Sequence, residues 1–311
     1  MNKGKVLITE PVHECLPEGL CQLGFEVVHL PEIAAAEVLP IIGEFTGLII
    51  NSKVQANKTL LAQASQLKFV ARCGSGKEVI DFEYCHQHGI TPITSPEGNR
   101  QAVAEHALGM LLSLLNNIHS AHAQVVQKKW IRERNRGVEL FGKTVGIIGF
   151  GHTGSAFANV LKGFCPTILA YDKYHTNCTT NEVRQTTLQE IFEKAEIVSL
   201  HLPLSPETKH FANETFFAAF KQKIWFLNTA RGSCTDTVAL LHAIQQGKIH
   251  GAALDVLENE KLESYTPLEN ELLQQLAQTQ KVLFTPHIAG WTIESKRKIA
   301  EVLLQKISAL A

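Results

Sequence analysis

The sequence predicts an α/β fold in two domains, one of them built on a doubly wound sheet. Three observations carry that expectation. Short apolar runs bounded by glycine, proline or polar residues recur along the chain, helical patterns separate them, and one run leads straight into a glycine-rich turn and a helix-compatible segment. Together they mark parallel strands joined by helices. At 311 residues the chain has room for about two domains of ordinary size, each with its own core.

The first apolar runs lie at residues 6–9, 26–29, 47–50, 68–72 and 91–94 and are expected to build one small sheet. Residues 101–119 place Ala104, Leu108, Leu111, Leu112 and Leu115 at mixed three- and four-residue spacing, the mark of one buried helical face. This helix is expected to cross between domains. A second series follows at 145–149, 167–171, 197–202, 225–229, 252–256 and 282–285, six strands, as a doubly wound sheet requires. After Gly290, residues 292–310 keep helical periodicity but have no partner strand left, so they should pack back on the first domain. The smaller domain is then discontinuous, residues 1–99 with 290–311, around a second domain at 100–289. No fixed-period repeat or low-complexity tract argues for a solenoid or a flexible tail.

Composition narrows the function classes. Lys+Arg total 29 and Asp+Glu 30, so no bulk charge recruits nucleic acid or an anionic membrane, and a charged ligand must be met locally. Seven cysteines are scattered without a Cys-x-x-Cys pair or zinc-like spacing with histidine, which favours reduced thiols and no metal. The apolar stretch Val6-Leu7-Ile8-Thr9 is far too short for a signal segment or a membrane span. A cytoplasmic protein is expected, and no regulatory module is expected after Leu310.

The run at 145–149 ends in Gly149-Phe150-Gly151-His152-Thr153-Gly154 and passes into Ser155-Ala156-Phe157-Ala158. That order is what a dinucleotide-binding loop needs. Gly149 allows the tight turn, Gly151 leaves room for a pyrophosphate, Gly154 lets helix and strand pack closely, and backbone amides near His152 and Thr153 face phosphate at the helix N-terminus. A glycine turn alone is weak evidence. Asp172 strengthens it by ending the next predicted strand about 20 residues on, where a carboxylate accepts from ribose hydroxyls and repels a 2′-phosphate. NAD is therefore expected over NADP.

Three later residues suggest the chemistry. Arg231, Glu260 and His287 each follow one of three successive predicted strands and so should reach one rim, at the carboxyl ends where open α/β sheets keep their ligand crevice. A guanidinium clamps a carboxylate in bidentate fashion, and an imidazole exchanges a proton near neutral pH. As hydride reaches a 2-keto acid, charge grows on the carbonyl oxygen; a protonated His287 donates there while Arg231 holds the carboxylate. A carboxylate bonded to the imidazole favours its protonated form. Glu258 competes with Glu260 for that part, and spacing does not separate them.

The glycine loop, Asp172, His201-Leu202-Pro203-Leu204 with Thr208, Asn228-Thr229-Ala230-Arg231-Gly232, Gly251-Ala252-Ala253-Leu254-Asp255-Val256 and Pro286-His287 together resemble the D-isomer-specific 2-hydroxyacid dehydrogenases over nearly the whole chain. Within that family the chain is most similar to short D-3-phosphoglycerate dehydrogenases. The resemblance implies an NAD-binding Rossmann domain and a smaller flavodoxin-like substrate domain. It assigns Arg231 to substrate, Glu260 rather than Glu258 to the histidine partner and His287 to acid/base work. It also implies that Pro203, Thr208, Ala230 and Asp255 line the cofactor, with Asp255 near the nicotinamide carboxamide. The proline usual after the acidic residue is replaced by Lys261.

Arg72-Cys73-Gly74-Ser75-Gly76 resembles the family's glycine-rich substrate loop, which implies that Ser75 and Gly76 donate backbone N–H groups to the carboxylate. The usual Asp-Asn after it is Glu78-Val79 here, so the asparagine's support is lost. Phosphoglycerate enzymes tend to carry an arginine after the strand at 47–50; this chain has Asn51-Ser52-Lys53, and Lys53 is left to meet a phosphate as a point charge. The resemblance thus implies oxidation of D-3-phosphoglycerate in serine synthesis, by a homodimer joined through the second domain and closing its interdomain cleft over a small-molecule acid. A glyoxylate or hydroxypyruvate reductase, which needs no phosphate subsite, is the alternative within the family. A non-catalytic NAD-sensing protein on the same scaffold is the alternative outside enzymes.

Overall fold

The computed structural model describes residues 3–175, 177–180 and 182–310. The chain divides into two compact units, Met1–Arg100 with Trp291–Ala311, and Gln101–Gly290.

The first unit holds five parallel strands: β1 Lys5–Ile8, β2 Glu26–His29, β3 Gly47–Ile50, β4 Phe69–Arg72 and β5 Thr91–Ile93. Their order is β2-β1-β3-β4-β5, the flavodoxin-like arrangement. The three inner strands are buried on both faces, which is why they read as continuous apolar runs rather than as alternation. Leu7, Leu48, Ile50 and Val70 pack on one face with Leu60 and Leu61. Val6, Ile8, Ile49 and Ala71 pack on the other with Leu16, Leu20, Ala300, Leu303 and Ile307. The last three belong to the helix Ile293–Ser308, so the C-terminal segment returns to this sheet. Thr292 caps it by accepting from the Ser295 N–H at 3.0 Å.

The second unit holds β6 Thr144–Ile148, β7 Thr167–Tyr171, β8 Val183–Gln185, β9 Ile197–Leu200, β10 Ile224–Asn228, β11 Ile249–Leu254 and β12 Val282–Phe284. The sheet is parallel and ordered β12-β11-β10-β9-β6-β7-β8. This is a doubly wound sheet whose direction of progression reverses between β6 and β9. Among the described residues it has seven strands where six are expected. The added one, β8, is a three-residue edge strand in which only Val183 is buried, too little apolar sequence to announce itself. Phe216, Phe217, Phe220 and Phe226 fill one face in edge-to-face contacts, and Leu111, Val145, Ile147, Phe157 and Leu227 fill the other.

The helix expected over 101–119 is longer at its start and broken at its end. It runs Pro96–Leu115, opening on a proline whose missing N–H costs nothing at that position. Asn117 then takes a left-handed φ of 53° and a second helix, Ile118–Val126, begins. None of the described helices is long and apolar enough to cross a membrane.

Candidate active site

At the carboxyl end of β6, Gly149 adopts φ +91°, and a side chain there would collide with the His201 carbonyl. The helix His152–Leu161 starts directly after Gly151, which offers no side-chain cap, and nothing lies within 4 Å of a Cβ built on Gly151. First-turn N–H groups with open space before them suit an anion. Asp172, at the end of β7, is fixed by three backbone donors: the Phe150 N–H at 2.7 Å and those of Tyr174 and His175, each at 2.9 Å. Burial alone would raise its carboxyl, but these donors outweigh burial and hold it below the usual range. The loop and the carboxylate therefore fit a dinucleotide with a free ribose diol.

A histidine that the sequence reading leaves without a role supports this loop from β9. His201 sits with Nε2 2.9 Å from Ser199 Oγ and Nδ1 3.3 Å from Thr153 Oγ1. Its burial pushes the imidazole down to about 3, so it is neutral. Beyond it the Thr208 hydroxyl donates to the Pro203 carbonyl at 2.6 Å and accepts from the Ser205 N–H at 2.8 Å, which closes the turn.

Arg231 follows β10 in an extended conformation, with Nη1 donating to the Ala230 carbonyl at 2.7 Å. The loop is pinned by the buried Asn228, which accepts from the Ala230 N–H and donates to the Arg231 carbonyl and to Thr235 Oγ1, all within 2.9–3.0 Å.

After β12 the chain turns sharply at His287, φ 54°. A non-glycine residue held left-handed needs support from its surroundings. Here the His287 N–H donates to the Asp255 carbonyl at 2.7 Å. The Asp255 carboxylate then accepts from Thr285 Oγ1 at 2.5 Å and from the Ile288 and Ala289 N–H groups at 2.9 and 2.8 Å. Its burial would raise the carboxyl, but His106, Thr285 and the two backbone donors together hold it below the usual range. Asp255 thus braces the His287 turn. Its neighbour His106, with Nε2 3.0 Å from Thr285 Oγ1, carries no sequence signal, since its partner lies far along the chain.

His287 Nδ1–H donates to Glu260 Oε2 at 2.8 Å, and both side chains are a little under half exposed. That bond leaves Nε2 free to exchange a proton. Glu258 is elsewhere: its Oε2 lies 2.6 Å from His210 Nε2 and its Oε1 accepts from Thr237. Because β12, β11 and β10 are neighbours, Arg231, Glu260 and His287 leave adjacent strands on one rim.

In the first unit, Ser75 and Gly76 form the turn after β4, and among the described residues no acceptor takes their backbone N–H groups. The missing asparagine is replaced by other supports. Arg72 pairs with Glu78 at 3.2 Å, and the Ala56 N–H donates to the Val79 carbonyl at 2.8 Å. Lys53 is engaged: its ammonium donates to the Pro31 carbonyl at 2.7 Å, while Glu10 Oε1 accepts from the Asn51 and Lys53 N–H groups at 2.8 and 3.0 Å.

The family model described as D-isomer specific 2-hydroxyacid dehydrogenase, NAD binding domain, matches residues 108–289. D-3-phosphoglycerate dehydrogenase of Methanocaldococcus jannaschii is 32% identical over 310 residues, covering 97% of this chain and 56% of that protein. Hydroxypyruvate reductase of Thermotoga maritima is 33% identical over 271 residues, covering 87% of this chain and 86% of that protein. The crystal structure of D-lactate dehydrogenase from Aquifex aeolicus complexed with NAD and lactic acid superposes with a TM-score of 0.83 at 27% identity, covering 98% of this chain and 95% of that one. The chain spans about half the length of the D-3-phosphoglycerate dehydrogenases it matches, 50–56% of each of the first three.

Proposed function

Because this chain belongs to the D-isomer-specific 2-hydroxyacid dehydrogenases, we propose that it interconverts a D-2-hydroxy acid and its 2-oxo acid, with NAD bound on the Gly149–Gly154 turn and Asp172. NAD(H), when bound, supplies or accepts the hydride. Arg231 holds the substrate carboxylate. His287 Nε2 gives its proton to the carbonyl oxygen during reduction and takes it back during oxidation. Glu260 keeps the imidazole oriented through the 2.8 Å bond to Nδ1. The observation that carries this reading is the 2.8 Å contact between Glu260 and His287 on the rim that also presents Arg231.

The finer reading is oxidation of D-3-phosphoglycerate to 3-phosphohydroxypyruvate in serine biosynthesis, supported by the names of the relatives from Methanocaldococcus, Synechocystis and Bacillus. A second reading, reduction of hydroxypyruvate or glyoxylate, is favoured by one observation. Two cations at the strand ends of the first unit are committed, Lys53 to the Pro31 carbonyl and Arg72 to Glu78, and the Glu10 carboxylate accepts from the Lys53 N–H. A dianionic phosphate would have to displace those partners. The reading includes a cytoplasmic homodimer, joined through the apolar surface of the second unit.

Steady-state kinetics with NAD(H) and phosphohydroxypyruvate, hydroxypyruvate and glyoxylate test both readings. Turnover of phosphohydroxypyruvate above the others supports the first, and preference for an unphosphorylated acid supports the second. Binding of NADH without turnover of any 2-oxo acid would contradict the enzyme reading and leave a cofactor-sensing role.

A further inference from the structure

We propose that His210 and Glu258 are a positioning pair that fixes the Glu260 loop against the Arg231 loop. The inference rests on the dehydrogenase reading above. His210 Nε2 meets Glu258 Oε2 at 2.6 Å. The other oxygen, Oε1, accepts from both the N–H and the hydroxyl of Thr237, at 2.9 and 2.7 Å. Thr237 opens the helix Thr237–Gln245. Both oxygens of Glu258 are therefore used, one on each of two segments that flank Arg231.

The His210 end is anchored on the same loop. Its N–H donates to the Ser233 carbonyl at 2.7 Å and the Ala212 N–H to the Cys234 carbonyl at 2.9 Å, and these two acceptors follow Arg231 almost directly. His210 holds a left-handed φ of 50° to do so, a conformation that surrounding contacts must maintain. Gly232 closes the third side: a side chain there would collide with the Leu257 carbonyl and crowd the Glu258 N–H. Segments 210–212, 231–237 and 257–258 are thus interlocked. Beyond Glu258, Asn259 donates to Glu269 Oε1 at 3.1 Å and accepts from the Lys261 N–H at 3.0 Å. Glu260 is held between two anchored neighbours, which sets where its carboxylate meets His287.

The charged groups facing His210 are Glu258 and, with Oδ2 at 4.0 Å from Nδ1, Asp236. The pair is about a third exposed, so its contribution to stability is small and variants should fold. Its effect is on register, to which catalysis is sensitive at the scale of an ångström.

The test uses the full chain with Glu258→Gln, His210→Asn and the double variant. Asparagine tolerates the left-handed backbone but is too short to reach Glu258. In each, kcat/KM for the 2-oxo acid that the wild type reduces best should fall about tenfold, and the alkaline limb of reduction should shift. NADH affinity should stay within about twofold, and the double variant should be no worse than the poorer single one, as expected of residues acting as a unit. A merely structural pair would lower the melting temperature without moving that limb. Unchanged kcat/KM and pH profile in folded variants would overturn the proposal. Imidazole 15N shifts of His287 give a readout independent of turnover. They report which ring nitrogen carries the proton, and Glu258→Gln should weaken the preference for Nδ1–H. If the wild type turns over no 2-oxo acid, the dehydrogenase reading fails, while an unaltered His287 spectrum in Glu258→Gln overturns the positioning pair itself.

Discussion

Glu260 and Glu258 stand two residues apart, yet they do different work. One carboxylate orients His287 at 2.8 Å and the other ties His210 to the start of a helix. Glu260→Gln keeps the size of the side chain and removes its charge, so the imidazolium loses a stabilising neighbour. Reduction draws its proton from this imidazole, so kcat/KM for reduction should fall about 10- to 100-fold. Steady-state kinetics of the folded variant check this, and wild-type kcat/KM would contradict the assignment.

His201 gives a second residue-scale expectation, this one about stability. Folding holds its imidazole neutral and pushed down to about 3 from an ordinary 6.5, so between those values the unfolded chain binds the proton that the folded chain refuses. Its stabilising effect is whole above about pH 6.5 and is lost as pH falls toward about 3. His201→Gln cannot take up that proton. Urea midpoints at pH 7 and pH 5 should fall more for the wild type than for the variant, and equal falls would show that another group sets the acid sensitivity.

At the scale of elements, what can be read from the chain follows burial. Strands β1, β3, β4, β6 and β9 are covered on both faces and so are spelled as apolar runs. The edge strand β8 has one buried residue and is silent. The helix break at Asn117 rests on a single left-handed residue, which helical periodicity passes over. Arg231, Glu260 and His287 are legible because each stands just past a strand that is itself legible. His106 and His210 are not, because their meaning lies in Thr285 and Glu258, contacts across 179 and 48 residues. The broken helix also separates core from surface. Ala104, Ala107 and Leu111 are buried, whereas Val125, Val126, Trp130 and Phe141 are exposed, Trp130 at 81%. Exposed apolar side chains clustered in one stretch mark an interaction surface. If that surface joins two copies, Val126→Glu with Trp130→Glu should convert a dimer into a folded monomer in analytical ultracentrifugation. An unaltered sedimentation coefficient would place the contact elsewhere.

For the whole molecule, strand order decides which candidate residues each sheet presents at its carboxyl ends. The seven-stranded sheet reverses direction between β6 and β9, which puts the glycine turn and Asp172 beside that reversal, and its other wing delivers Arg231, Glu260 and His287 from neighbouring strands. At the strand ends of the five-stranded sheet stand the Ser75 and Gly76 amides and the charged residues Glu10, Lys53 and Arg72; on the reading proposed above, discrimination among 2-oxo acids should turn on them. On the dehydrogenase reading, turnover depends on proton transfer at His287. Rapid mixing of the preformed NADH complex with the best 2-oxo acid isolates that step. In His287→Ala the single-turnover rate of NADH oxidation should fall by about 100-fold or more while NADH binding is unchanged. A variant that oxidises NADH at the wild-type rate would contradict the central claim.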